Sequence, residues 1–277
     1  MKQIIGDTPR KKEIYIPENP KEHIPRLIEA GIITLNNQTP KTPILKPEVR
    51  EEEERNVPQT IEAEAYFTIP NVEDRGEIST YRLMKQMTPS MNQDALAEYS
   101  ERGKRNGNPY ACASNTLWAI FEASTKLEGK INPEEYHNLI QFIQSWMRQS
   151  PNTLSRIVYM PEGEQDKVIH NYGTSDEYTL EGDLVGRSSW IGDIPPHETQ
   201  SLSLVLGTND IQRLDRISQK LIKSPTYLWR FNSRPREKYV GVVRLGNDSR
   251  RIILACQRDP RAEDLAFRVM KFNKPLS

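Results

Sequence analysis

Residues 106–124 read NGNPYACASNTLWAIFEAS and place Cys112, one of two cysteines in the chain, where a polar turn runs into an amphipathic segment. Leu117, Ile120 and Phe121 recur at helical spacing, so YACASNTLWAIFEAS is predicted as a helix. A helix that opens near Cys112 aims unpaired backbone N–H groups and the positive end of its dipole at the thiol. That arrangement favours thiolate and prepares a nucleophile. The same residue among alanines also fits a buried apolar filler, since free cysteine is among the most buried residue types. What the rest of the chain brings to this helix end decides between the two.

Downstream, NPEEYHNLIQFIQSWM is the clearest helix. Asn132 can cap it, Pro133 suits its first position, Glu135 can close a capping box, and Tyr136, Leu139, Ile140, Ile143 and Met147 form an apolar stripe. Residues 150–206 mix short β-like pieces, RIVYM and SLSLVL among them, with Gly, Asp and Pro. NDIQRLDRISQKLIKS then predicts a helix with Ile211, Leu214, Ile217 and Leu221 on one face. Last come TYLWRF, KYVGVVRL and RIILACQRD, read as consecutive strands with a hairpin turn at residues 246–248. Upstream of Cys112, EAEAYFTIP reads as a strand and ERGKRNGNP as an exposed loop. The fold class is α+β, with helices packed on a C-terminal antiparallel sheet.

The chain has 277 residues, and residues 1–60 carry 8 of its 20 prolines together with the run EEEER at 51–55. With little apolar periodicity this part cannot build its own core, and it is expected to be an extended arm that packs on a partner or supports self-assembly. A short amphipathic helix is expected within it at NPKEHIPRLIEAGIITL, capped by Asn19 and limited by Pro25. Residues 61–277 form the folded domain. Lys plus Arg equal Asp plus Glu at 38 each, so nothing in the overall charge draws the chain to nucleic acid or an anionic membrane. The N-terminus lacks the roughly 7–15 apolar residues of a signal peptide, and no run approaches the ~18 needed to span a bilayer. The protein is expected to be soluble, in the cytoplasm or within an assembled particle, with free thiols. The cysteines lie 144 positions apart (256 minus 112), which makes neither a disulfide framework nor a zinc site by spacing. GKRNGN at 103–108 lacks the spacing of a phosphate loop, so no cofactor is expected.

The segments MNQDALAEYSERGKRNGNPYACASNTLWAIFEASTKLEGKINPEEY and SPTYLWRFNSRPREKYVGVVRLGNDSRRIILACQRDP resemble the two halves of papain-like cysteine peptidases, specifically the bacteriocin-leader-processing group and its relatives. The resemblance covers residues 89–260 as an order of elements and implies a papain-like fold. It also implies roles. Cys112 falls on the nucleophile, Gln93 on the side chain that helps stabilise the oxyanion, and Asp259 on the residue that orients the base. Gln93 precedes Cys112 by 19 residues (112 minus 93), which implies an insertion, and CASN lacks the family's Gly after the Cys. At the position of the family's His stands Lys238, and lysine is a poor proton shuttle at neutral pH unless strongly desolvated. His170 in KVIHNYG and His197 in IPPHETQ follow Cys112 in chain order and are the substitutes to consider for the base; His23 and His137 are discounted by their places in the arm and on a helix.

Two further features carry weaker signals. Cys256 within IILAC reads as a core residue. The basic cluster RFNSRPREK, with Arg230, Arg234, Arg236 and Lys238 near Trp229 and Phe231, reads as a solvated strand connection before a phosphate- or base-binding patch. Three functions follow. The chain is a degenerate cysteine-peptidase-like domain, a pseudoenzyme that binds a protein or peptide partner or assembles through its arm. Alternatively it is an active cysteine hydrolase of peptide or amide bonds, or a structural protein of a virion or other assembly.

Overall fold

The computed structural model describes residues 65–208, 210–247 and 252–272. The arm expected at residues 1–60, with its short helix, lies outside the described residues, as does Asp248 of the expected turn. The described chain is α+β, built on two sheets. The first contains strands β1 (Tyr66–Asp74), β2 (Glu77–Met84) and β10 (Val269–Phe272), in the order β1-β2-β10 and antiparallel throughout. Arg75 and Gly76 join β1 to β2 with φ of 53° and 78°, the pair of left-handed residues that a two-residue hairpin turn of matching twist requires.

Between β2 and the second sheet lie three helices: α1 (Gln93–Arg105), α2 (Ser114–Thr125) and α3 (Pro133–Met147). The α3 prediction holds at its start, where Asn132 Oδ1 accepts from the amides of Glu134 and Glu135 and Pro133 occupies the first turn. Its stripe is buried at Leu139, Ile143 and Met147, with Tyr136 and Ile140 half-buried. Of the expected loop, residues 101–105 finish α1 instead, with Arg102, Lys104 and Arg105 in the last turn, where cations complement the helix dipole.

α2 is the central helix. Leu117, Trp118, Ile120, Phe121 and Ala123 are all buried, because α2 packs on β1 on one side and on helices on others, which is how a helix apolar nearly all round is accommodated. It starts at Ser114, two residues after Cys112, and its N-cap Ala113 has no capping side chain. The cap is supplied from outside the helix: the Ser114 amide donates to Ser155 Oγ at 2.9 Å.

The second sheet has seven strands: β3 (Asn152–Tyr159), β4 (Asp166–His170), β5 (Tyr178–Gly182), β6 (Ser189–Trp190), β7 (Thr226–Trp229), β8 (Tyr239–Asn247) and β9 (Ile252–Arg258), in the order β5-β4-β3-β8-β9-β7-β6. Helices α4 (Pro196–Leu206) and α5 (Gln212–Ile222) lie in sequence between β6 and β7. Two expectations need correction. SLSLVL, read as β-like from its alternation, is the body of α4, opened by Pro196 and closed by Gly207 in the left-handed conformation. The sheet is mixed, since β7 runs parallel to β9 and lies beyond it, so β7 is no hairpin partner of β8. The predicted face of α5 is borne out: Ile211, just before it, and Leu214, Ile217 and Leu221 are all buried. No helix among the described residues is long and apolar enough to cross a membrane.

Candidate functional site

Cys112 lies in extended chain just before α2, and its carbonyl accepts the Leu154 amide of β3 at 2.9 Å. Only 5% of the residue is exposed, and it belongs to the main hydrophobic core. Burial, reinforced by the nearby Asp74 carboxylate, pushes the thiol up to about 12, with Lys104 pulling weakly the other way. The helix-end effect that would favour thiolate is therefore overridden by desolvation. Cys256 on β9 is likewise a buried free thiol, pushed up to about 12 by burial.

Lys238 and Asp259 are exposed and sit together at one end of the β8–β9 ladder. Val242 pairs with Arg258, and the Asp259 carboxylate, after burial, raises the Tyr239 phenol. Asp259 also caps its own turn by accepting the Arg261 amide at 2.8 Å. The Pro260 carbonyl, next to Asp259, accepts the Gln93 amide at 3.1 Å, whereas Lys238 lies further from Cys112 along β3. Tyr239 pairs with Tyr159 on β3, five residues beyond Leu154, which is roughly 16 Å at about 3.3 Å per residue. Cys112 meets β3 at Leu154, between Asn152 and Arg156, which pair with Arg244 and Val242 of β8, and it is sealed in the core where the expected cleft would need it open.

Gln93, the expected oxyanion donor, is fully buried. Its Nε2 donates to the carbonyls of Thr153 and Ser155 at 3.1 and 3.2 Å, and its Oε1 accepts from Arg156 Nε at 2.7 Å. With both ends of the amide engaged, Gln93 pins the start of α1 to β3 and has no donor left for a substrate oxygen.

His170 ends β4, fully buried. Its Nε2 is 2.8 Å from the Leu204 carbonyl, and its Nδ1 is 2.8 Å from Ser155 Oγ. A carbonyl only accepts, so Nε2 carries the proton and Nδ1 accepts the Ser155 hydroxyl. Ser155 Oγ takes the Ser114 amide and lies 2.9 Å from Ser114 Oγ, which reaches the Val205 carbonyl at 3.0 Å. Burial lowers the imidazole pKa, while the Leu204 bond and the Asp74 charge oppose the shift. Both ring nitrogens are committed, which leaves His170 no free nitrogen to take a proton from Cys112. Ser155 and His170 form a hydroxyl–imidazole pair absent from the sequence reading, but neither is exposed, and a nucleophile must meet its substrate. The backbone of His197 lies in the first turn of α4.

Comparison of the chain with protein-family models, characterised proteins and solved structures returns no match.

The basic cluster is also put to structural use. Arg230, 3% exposed, pairs with Glu198. Arg234 reaches the fully buried Asp166 at 2.9 Å and Asp183 at 3.0 Å. Asp166 further accepts the amides of Met160 and Leu184, each at 2.9 Å, so this buried charge is fully partnered. The expectation of a solvated connection holds for Asn232, Ser233, Arg236, Glu237 and Lys238, which are exposed.

Beside the first turn of α2 a pocket opens between the β1–β2 turn, the end of α4 and α5. Its lining includes Asp74, Arg75, Asn115, Trp118, Gly207 and Arg213. Asp74 Oδ2 accepts the Thr116 hydroxyl at 2.7 Å, Arg75 lies 5.0 Å over the Tyr178 ring, and Arg213 donates to Glu122 at 2.5 Å. Asn115 and Trp118 were missed from sequence. An Asn in the first turn of a helix and a Trp in an apolar stripe both have ordinary packing explanations.

Proposed function

We propose that this chain is a binding or assembly module for a protein or peptide partner and does not use Cys112 as a nucleophile. The observation that carries the reading is the sealed sulfur at position 112. Burial pushes its thiol up to about 12, so the protonated form, a poor nucleophile, is favoured at neutral pH. The groups that peptidase chemistry would need around it are held elsewhere: Gln93 by backbone carbonyls, His170 by Ser155 and Leu204. The papain-like ancestry suggested by the order of elements is then a scaffold that has outlived its chemistry.

The surface adds support. Trp229 is 55% exposed on β7 and, with Arg244, Ala255 and Arg258, lines a shallow pocket of about 250 Å³. Trp and Arg are enriched where proteins meet. The test compares wild type with Cys112→Ala, using peptides selected from a random library for binding to the wild-type chain. Equal retention of those peptides, with no cleavage by either protein, is expected. Cleavage by wild type that Cys112→Ala abolishes would overturn the reading. Deletion of residues 1–60 tests the assembly part: loss of a larger mass in light scattering supports it, and an unchanged mass opposes it.

A further inference from the structure

The outer face of the β1-β2-β10 sheet carries positive charge that no acid beside it answers. On β2, Tyr81 and Leu83 turn to the core, 3% and 0% exposed, so Arg82 between them points to the other face. Its Cζ lies 4.3 Å from the Tyr66 ring centroid and 4.4 Å from that of Phe272, and these rings come from the strands on either side, β1 and β10. Such stacking holds the guanidinium in place and leaves its N–H edge open. Arg268 stands beside it. The Met84 amide donates to the Arg268 carbonyl at 2.9 Å, which carries the β2–β10 register, where Arg82 faces Met270 and Leu83 faces Val269, one pair further. Arg268 is therefore on the same face as Arg82, on the neighbouring strand and two positions out of register, roughly 7–8 Å away.

Neither guanidinium has a hydrogen bond or an ion pair among the described residues, and Arg268 Nε is buried without one. Like charges on adjoining strands destabilise a sheet, and a buried N–H left unmet adds to the cost. The carboxylate that β1 and β2 place on this face is Glu73, opposite Ile78. It is four residues along β2 from Arg82 (82 minus 78), about 13 Å at roughly 3.3 Å per residue. Glu77 is held by Lys271 at 2.6 Å. Ile78 is itself 69% exposed, so the face offers two guanidinium forks at one end and an aliphatic side chain at the other. A planar carboxylate meets the open edge of Arg82 in the plane of the fork. A tetrahedral phosphate would turn oxygens towards the negative faces of the two rings.

We propose that this face docks an acidic segment of the partner polypeptide, one carboxylate of which bridges Arg82 and Arg268 while an apolar side chain about four residues away covers Ile78. The inference rests on the binding-module reading and gives the partner its chemistry. The experiment uses the full chain and two fluorescein-labelled peptides, followed by anisotropy at fixed salt. One peptide has a pair of glutamates and, about four residues on, a leucine in a Gly-Ser background; the other has glutamine in place of each glutamate.

The Glu peptide should bind at least about tenfold more tightly than the Gln peptide, and Arg82→Gln and Arg268→Gln should each weaken it about tenfold, the loss of one charge-assisted hydrogen bond. Arg82→Lys keeps the charge without the fork and should weaken it similarly. Arg236→Gln, at an exposed position before β8, should leave it unchanged. Should Arg82→Gln lose the near-UV dichroism of the wild type, Arg268→Gln and Arg82→Lys carry the test. Equal affinity for the two peptides, equal binding by Arg82→Lys and wild type, or tighter binding of a phosphoserine peptide than of the Glu peptide overturns this docking face. A library-selected peptide retained alike by wild type and both Gln variants also overturns it and leaves the binding-module reading in place. Cleavage of any of these peptides by the wild-type chain would overturn that reading.

Discussion

Ser155 Oγ stands 2.8 Å from His170 Nδ1, inside a line of polar atoms that ties β4 to β3, β3 to the first turn of α2, and both to α4. The same two residue types make a reactive pair in many enzymes. Here the hydroxyl is capped by the Ser114 amide and the far ring nitrogen by a carbonyl. The pair works as a buried fastener at the place where α2 lacks a capping side chain of its own.

The fastener is pH-sensitive. Burial lowers the His170 pKa in the folded state, so below the ordinary imidazole range the unfolded chain binds a proton that the folded chain resists. Stability from this group is present above about pH 6.5 and declines as pH falls from there through the lowered folded value. Urea midpoints measured from pH 7.5 to 5.5 should fall in wild type and fall less in His170→Gln. Parallel curves would contradict the assignment.

At alkaline pH the two thiols act in the opposite direction. Cys112 and Cys256 are each pushed up to about 12, while in the unfolded chain they titrate near 8.5. The folded chain keeps two protons that the unfolded chain releases, so stability is present below about pH 8.5 and declines above it. The slope is about 1.4 kcal/mol per pH unit for each thiol. Buried Tyr81 and half-buried Tyr110, both raised chiefly by burial, add to the decline near pH 10 and above. Denaturation between pH 8.5 and 10 should steepen accordingly, and Cys112→Ala should remove about half of the thiol share.

The Asp166–Arg234 pair fixes the loop before β8 to β4. Arg234→Ala takes the cation from the fully buried Asp166 and leaves its charge to two backbone amides, so it should destabilise the domain by about 3 kcal/mol. Arg236→Ala, at an exposed position, should stay within about 0.5 kcal/mol. Equal melting temperatures for the two variants would count against the buried-pair account.

Gly207→Ala combines a left-handed backbone with a collision at Asn115. A loss of roughly 2 kcal/mol is expected from the strain of the backbone and the displaced neighbour. Gly129, also at positive φ but with nothing within 4 Å of an added Cβ, should show only the backbone part, roughly 1 kcal/mol.

The helices α3 and α5 were legible because their apolar spacing, and in α3 the Asn-Pro start, all point one way. α4 was not, since SLSLVL alternates like a strand. Its helical cues lie outside the run, in Pro196 at the start and Gly207 at the end. The parallel placement of β7 beside β9 is a tertiary choice that local pattern does not encode. At the site, sequence located Cys112 beside a helix start but not its burial, because burial depends on what β1, β2 and β3 bring across the chain. Gln93 and His170 looked chemical, and Arg234 solvated, for the same reason: their partners are backbone carbonyls, a hydroxyl and carboxylates up to 74 positions away, and a linear reading does not show them.

The rate at which iodoacetamide modifies Cys112 in the native chain, followed by mass spectrometry from pH 6 to 9 with the urea-denatured chain as reference, tests the central claim most directly. The account predicts that Cys112 and Cys256 react comparably slowly, at least about a thousandfold below the denatured rate, as expected of thiols that remain protonated and sealed. Rapid modification of Cys112 near neutral pH, with Cys256 left untouched, would contradict it.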